Sequence, residues 1–236
     1  MIKNILKMTT IENLTESISK IKISNNVDID VDINKVYDYL QSNLNQELLQ
    51  DISNKCKCIN SICSGDGSGL LGGSLIDMFL CKYFKQNLSE FQENHHGESD
   101  MKICDIPFSL KKINGKKKVA LDWSKNNIDS IKREYFNEHI IIINLKTEQW
   151  WKTKPLKVKT DDDYYKDIIK SGFYIVDKEF CKNNIKLTSN NKSNSIVEEI
   201  YVYKMLKRSI ELKTFIEIPN PNIELEFDIL KAFQLK

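Results

Sequence analysis

The feature that most constrains the fold of this chain is the apolar run His139–Leu145, which reads HIIIINL. Its four consecutive isoleucines suit a strand and fall far short of a membrane span, which needs about 18 apolar residues. Side chains alternate between the two faces of a strand, so an uninterrupted apolar run is typical of a strand buried on both faces. We therefore expect a buried strand over residues 139–145.

Several other segments have apolar residues at helical spacing. Residues 31–54 are expected to form one or two helices, and residues 126–137 and 195–209 one helix each. The Gly-rich stretch Ser64–Gly73 is expected to be a loop. It leads into the apolar segment SLIDMFLCKYF, which begins at Ser74 and predicts a further helix.

Strand patterns surround a strong turn signal. Residues 99–113 and 118–123 are expected to form strands joined by Asn114-Gly115, because Asn-Gly is the best short hairpin signal. Residues 172–177 predict another strand, and the polar segment 183–194 predicts a loop. The elements together predict one α/β domain over residues 1–236, with residues 1–30 as a loose arm.

Charge and composition exclude some classes of protein. The 35 basic and 33 acidic residues give a net charge of +2, so any anion-binding surface must be a local patch. The N-terminal segment lacks a sustained apolar stretch and a small-residue cleavage site, which argues against a signal peptide. We therefore expect a cytoplasmic, intracellular protein whose six cysteines are reduced.

Residues that can carry out chemistry are concentrated in the segment GESDMKICDIPFSLKK, residues 97–112. Along a strand, Ser109 and Lys111 share one face, while Phe108 and Leu110 point to the other. Asp100 lies nine residues before Ser109, and a bend near residues 104–107 would bring the two together across neighbouring strands.

This pattern resembles the PD-(D/E)xK nuclease superfamily, especially the type II restriction endonucleases. The resemblance covers roughly residues 69–125 and implies a central mixed β-sheet flanked by helices. It also implies that Asp100 binds Mg²⁺, that Ser109 occupies the variable acidic position and that Lys111 is the lysine that orients the attacking water. Ser109 departs from the usual Asp or Glu, so Asp77 and Glu98 are expected to supply further metal ligands. Asp105 is a further candidate for the same compensation.

The family resemblance implies hydrolysis of double-stranded DNA at a short sequence, and a homodimer if that sequence is palindromic. Metal ions would neutralise the phosphodiester and lower the pKa of bound water. A non-cleaving DNA-binding protein of the same fold is the main alternative, because Ser109 is not acidic. Residues expected to contact DNA are Lys112, Lys116, Lys117, Lys125, Asn190, Asn191 and Lys192.

Two other patterns suggest different sites. Asp105, Asp122 and Lys125 form a second acidic register, but Asp122 and Lys125 are three apart and would face opposite ways unless a bulge or strand end lies at Ser124. The spacing Gly67-x-Gly69-x-x-Gly72 suggests nucleotide binding. That fingerprint needs a preceding buried strand, and the residues before Gly67 predict a poor one.

Overall fold

A computed structural model describes residues 33–62, 69–94, 99–113, 118–124, 138–146, 169–184, 186–190 and 195–222. The described helices are α1 (33–43), α2 (Gln46–Ile62), α3 (Gly69–Asn87), α4 (Lys178–Asn184) and α5 (Val202–Glu211). None of them is both long and apolar enough to cross a membrane.

Nine strands in the described residues form two sheets. They are β1 (Phe91–Glu93), β2 (Met101–Ile103), β3 (Ile106–Ile113), β4 (Lys118–Ser124), β5 (His139–Asn144), β6 (Gly172–Val176), β7 (Lys186–Asn190), β8 (Ser195–Tyr201) and β9 (Phe215–Glu217). The larger sheet has the order β1-β2-β3-β5-β6-β9, and the smaller has the order β4-β8-β7. The chain is thus an α/β domain.

The six-stranded sheet is mixed. Strands β3 and β5 pair in parallel, whereas the other neighbours pair antiparallel. Every residue of β5, His139–Asn144, is buried, which confirms the strand expected from the isoleucine run. The strand expected over residues 172–177 is also confirmed, as β6.

Helices cover the two faces of this sheet. Phe108, Leu110 and Ile141 belong to a core shared with α1, α2 and α3, and we call their side of the sheet the α3 face. Ile140 and Val176 belong to a second core shared with α4 and α5, and we call their side the α5 face. Ser109 and Lys111 alternate with Phe108 and Leu110, so they lie on the α5 face.

The bend expected near residues 104–107 is present as the turn of the β2–β3 hairpin. Cys104 and Asp105 have φ values of 52° and 65°. Positive φ at both central residues is the type I′ geometry that matches the twist of paired strands. Asp tolerates this conformation better than most residues because its short side chain bonds locally.

The prediction of a hairpin at Asn114-Gly115 is wrong. Strands form on both sides of it, but β3 pairs with β2 and β5, whereas β4 belongs to the smaller sheet and pairs with β8. The turn signal was local, and the partners of each strand were decided by longer-range packing.

Three further expectations need correction. The loop expected over residues 183–194 contains β7, and the helix expected over residues 195–209 begins with β8 before α5 starts at Val202. Ile196, Val197 and Ile200 fit a helical period, but β-branched residues favour strands. Helix α3 starts at Gly69 rather than near Ser74, so it includes half of the expected Gly-rich loop.

The two helices at residues 33–43 and 46–62 confirm the helical expectation for residues 31–54. The Asn45 Oδ1 accepts the Leu48 amide at 2.9 Å, as an N-cap of α2 does. The arm expected over residues 1–30 and the helix expected over residues 126–137 lie outside the described residues.

Candidate active site

Asp100 immediately precedes β2, at the end of the β2–β3 hairpin that lies opposite its turn. Extending the antiparallel register places Asp100 opposite Ser109. Its Oδ2 accepts a hydrogen bond from the Ser109 hydroxyl at 2.9 Å and another from the Leu110 amide at 2.7 Å. The carboxylate therefore continues the β2–β3 ladder by one step and is held firmly in place.

The same geometry leaves the other oxygen of Asp100 available. Asp100 is exposed, and within the described part of the chain its Oδ1 accepts no hydrogen bond. An ionised carboxylate has about four lone-pair sites, so two donors do not saturate it. Asp100 is thus a positioned carboxylate with capacity for a further donor or cation.

Lys111 lies two residues beyond Ser109 on β3, opposite Ile142 of β5. It is half-buried and shares the α5 face with Ser109. Lys112 is also half-buried but lies on the α3 face, where its charge acts on Asp77 and on the Cys56 thiol. The two adjacent lysines therefore lie on opposite faces of the part of β3 that extends beyond its pairing with β2.

Asp77 on α3 is the second carboxylate of the site. Its Oδ1 is a buried side-chain oxygen with no hydrogen-bond partner among the described residues. The pKa of Asp77 is raised from 3.8 to about 7, chiefly by burial and also by the negative charge of Asp100, while Lys111 and Lys112 oppose the rise. These effects place the two carboxylates and two lysines within electrostatic range of one another.

An unpartnered buried carboxylate oxygen is uncommon, because removing such an atom from water without a hydrogen bond costs free energy. Here the cost is increased by a second carboxylate nearby. The arrangement of Asp77 and Asp100 is therefore unfavourable when both are ionised, and a bound cation would relieve it.

The nearby thiols are poor candidates for nucleophiles or metal ligands. Cys81 lies one turn after Asp77, and burial together with the charges of Asp100 and Asp77 raises its pKa to about 12. Burial raises the pKa of the Cys56 thiol on α2 to about 12 as well. With pKa values this high, both cysteines remain protonated near neutral pH. Because the thiolate is the reactive form, neither is a good nucleophile or metal ligand.

Two carboxylates form a small donor set for a metal. No group of three or more His, Cys, Asp or Glu side chains in the described ranges is arranged to hold a metal ion. Mg²⁺ commonly binds through one or two carboxylates and keeps its other positions for water and substrate phosphate. The unsatisfied oxygens of Asp77 and Asp100 fit that requirement, whereas they do not fit a closed all-protein site.

The structure brings together four of the residues expected to act in the site: Asp77, Asp100, Ser109 and Lys111. Lys112 also acts on Asp77 and lies on the α3 face, the side of the sheet that the Asp77 helix covers, whereas Ser109 and Lys111 lie on the α5 face. Glu98, Lys116, Lys117, Lys125, Asn191 and Lys192 lie outside the described residues, and Asn190 lies on β7.

The second acidic register is divided between the two sheets. Asp105 is exposed in the β2–β3 turn, and Asp122 lies on β4 of the smaller sheet. The register shift in β4 falls between Ala120 and Asp122, but β4 ends at Ser124, as that alternative allowed; what separates its two acidic residues is the division between the sheets. Asp105 also lies at the far end of the hairpin from Asp100, so it does not join the site.

The Gly-rich segment lacks the setting of a dinucleotide site. Gly69 and Gly72 lie in the first turns of α3, and the element described before them is the helix α2. The fingerprint requires a strand that leads directly into the glycine turn. Nucleotide binding at Gly67–Gly72 is therefore not supported.

An ion pair that the sequence patterns did not single out joins Arg208 on α5 to Asp177 at the end of β6. The Arg208 Nε is 2.7 Å from Asp177 Oδ2, and Asp177 is almost fully buried at the end of β6. The Asp177 Oδ1 also accepts the Phe180 amide at 2.7 Å as the N-cap of α4. An Asp directly after the apolar strand GFYIV was the available signal for such a cap.

No protein-family model matches this chain, and neither the curated proteins nor the solved structures include a significant match. The site is therefore interpreted from its own geometry and chemistry.

Proposed function

We propose that this protein is a Mg²⁺-dependent endonuclease that hydrolyses phosphodiester bonds of double-stranded DNA. The observation that carries this proposal is the hairpin pairing of Asp100 with Ser109, with Lys111 on the same face and, nearby, an Asp77 oxygen that has no hydrogen-bond partner among the described residues. The arrangement resembles the acidic and lysine positions of the PD-(D/E)xK nucleases. Ser109 takes the variable position and Asp77 supplies the second carboxylate from a helix.

Asp77 and Asp100 are the residues that would hold Mg²⁺. When bound, the ion would neutralise phosphate charge and lower the pKa of a coordinated water. Asp100 is positioned for this role because the hydrogen bonds from Ser109 and Leu110 fix one oxygen, while the other accepts none from the residues the structure describes. Ser109 therefore orients a carboxylate instead of supplying one.

Lys111 would act on the attacking water and on the phosphate. Lys111 is half-buried, its charge acts on Asp77, and it shares the α5 face with Ser109, which donates a hydrogen bond to Asp100. A positioned ammonium group can stabilise the negative charge that develops in the transition state. Lys111 also lowers the pKa of Asp77, which helps that carboxyl remain ionised for metal binding.

We further propose that the substrate is a short DNA sequence, as in restriction-endonuclease-like proteins, and that the protein acts as a homodimer. A duplex site that is palindromic has twofold symmetry, which a symmetric dimer matches. Lys112, near Asp77, would raise the local positive charge, and lysines beyond the described residues would contact backbone phosphates.

One observation favours a second candidate, a DNA-binding protein of the same architecture that does not cleave. Both hydrogen bonds to Asp100 converge on Oδ2, so Asp100 also serves as a structural cap for the β2–β3 ladder. Ser109, almost fully buried, adds no negative charge. A protein that retains only this cap would bind DNA without hydrolysing it.

A plasmid assay separates these two candidates. Supercoiled plasmid of mixed sequence is incubated with the protein in Mg²⁺, in Mn²⁺ and in a chelator. The endonuclease proposal expects nicked or linear plasmid in the divalent metals and intact plasmid in the chelator. Binding of the plasmid without cleavage in either metal would refute the enzyme and support the non-cleaving candidate.

A further inference from the structure

Two contacts within the protein hold the guanidinium group of Arg208 on α5. Its Nε forms the 2.7 Å pair with the Asp177 carboxylate, and its guanidinium carbon lies 5.7 Å from the centre of the Phe180 ring. Asp177 is itself fixed because its other oxygen caps α4. The plane of the guanidinium is therefore set before any ligand arrives.

The two Nη groups are the other nitrogens of the Arg208 guanidinium. In the described part of the chain, these nitrogens donate no hydrogen bond, and the side chain is 30% exposed. The Nη groups of one guanidinium form a planar fork that matches two oxygens of a phosphate. An arginine held through Nε with this fork open is well suited to bind an oxyanion.

The position of Arg208 relates it to the proposed active site. Val176, next to Asp177, pairs with Ile140, and Ile140 pairs with Ser109 opposite Asp100. Ser109 and Val176 are thus two strand spacings apart, roughly 10 Å. Arg208 lies on α5, which covers the same sheet face that carries Ser109 and Lys111.

We propose that Arg208, oriented by Asp177, binds a backbone phosphate of the DNA duplex that neighbours the phosphate cut at Asp100. A duplex carries one negative charge per roughly 1.7 Å of its axis, so several phosphates lie within about 10 Å of the one at Asp100. This inference rests on the proposed nuclease function. It adds a contact that positions the duplex and carries no chemical step.

The test measures duplex binding as a function of salt. A fluorescent duplex of mixed sequence is titrated in Ca²⁺ at several KCl concentrations with the wild type, Asp177→Asn/Arg208→Gln and Lys207→Gln. The double variant has the formal net charge of the wild type and leaves no buried carboxylate without its cation. Lys207→Gln removes one charge at the adjacent position of α5, where Lys207 pairs with Glu211 at 3.6 Å.

The slope of log affinity against log salt is negative, and loss of one phosphate contact reduces its magnitude by about 0.9. We expect this decrease in the double variant, with native circular dichroism, and no such decrease in Lys207→Gln. A double variant with the wild-type slope, in a protein that still binds and cuts DNA, would overturn the Arg208 contact alone. A wild type that binds no duplex would instead overturn the proposed function itself.

Free phosphate is the other source of the same oxyanion chemistry. Inorganic phosphate is therefore added in a separate thermal unfolding series at constant ionic strength. A stabilisation by phosphate that the double variant loses, together with an unchanged DNA slope, would overturn the backbone contact in favour of a free-phosphate site.

Discussion

Replacement of Asp77 by Asn tests whether the site is strained in the absence of metal. In the wild type, the buried Oδ1 of Asp77 has no partner among the described residues, and its ionised form is opposed by burial and by Asp100. Asn has nearly the same shape and no charge. The variant should therefore become more stable than the wild type as the pH rises above 3.8, where unfolding begins to release the Asp77 proton.

The magnitude follows from the pKa of Asp77, which burial raises from 3.8 to about 7. Because the folded pKa lies above the unfolded value, the stabilising contribution of the protonated carboxyl is complete below pH 3.8. It is lost as the pH rises through 7. The full loss corresponds to roughly 4 kcal/mol in the free energy of unfolding, as an upper bound. Asp77→Asn should avoid this loss.

The assay is urea unfolding of the wild type and Asp77→Asn in a chelator between about pH 4 and pH 8. The variant's advantage should be small at the acidic end and grow to a few kcal/mol at the alkaline end. Addition of Mg²⁺ should then stabilise the wild type at high pH and have much less effect on the variant, because a cation binds the ionised pair.

The exposed Asp105 provides a matched control, since Asn also tolerates its positive φ. Asp105→Asn should show neither the pH-dependent gain nor a changed response to Mg²⁺. A stability difference between Asp77→Asn and wild type that stays constant with pH would refute the electrostatic reasoning. Equal stabilisation of both proteins by Mg²⁺ would refute the role of Asp77 as a ligand.

Three further substitutions test Ser109, the Arg208–Asp177 pair and the packing of β6 on β9. Ser109→Asp adds a carboxylate, so the Mg²⁺ concentration for half-maximal cleavage should fall on the order of 10-fold, and an unchanged value would contradict Mg²⁺ binding there. Arg208→Met leaves the buried Asp177 carboxylate unpaired, so urea unfolding should show a loss of about 3 kcal/mol; a loss below about 1 kcal/mol would show that the pair is unimportant. In Gly172→Ala, the new Cβ would collide with the Phe215 ring and the Ile216 carbonyl. Thermal unfolding should therefore reveal a loss of about 3 kcal/mol, and wild-type stability would refute the close packing of β6 on β9.

The sequence was most informative where a local pattern and the tertiary fold require the same structure. Four consecutive isoleucines are compatible with a strand covered on both faces, and β5 is such a strand. The two-residue periodicity of strands placed Ser109 and Lys111 on one face, and the expected bend put Asp100 opposite Ser109. These relations depend on residues close together in the chain.

Relations between distant segments were harder to predict. The Asn114-Gly115 signal is local, but the partners of β3 and β4 are strands far away in sequence. Residues 195–201 fit a helical period, and their pairing with β4 and β7 decides in favour of a strand. Arg208 was not singled out because its pairing with Asp177 joins α5 to the end of β6, which no spacing rule reveals.

The central claim is that Lys111 belongs to one DNA-cleaving site with Asp77 and Asp100. It is tested most directly by single-turnover cleavage of a labelled duplex in Mg²⁺ by the wild type, Lys111→Ala and Lys102→Ala. Lys102 is the matched control, a half-buried lysine on the neighbouring strand β2. We predict a fall in rate of about 100-fold or more for Lys111→Ala, and a change of less than about 3-fold for Lys102→Ala. Cleavage by Lys111→Ala at the wild-type rate would contradict the central claim.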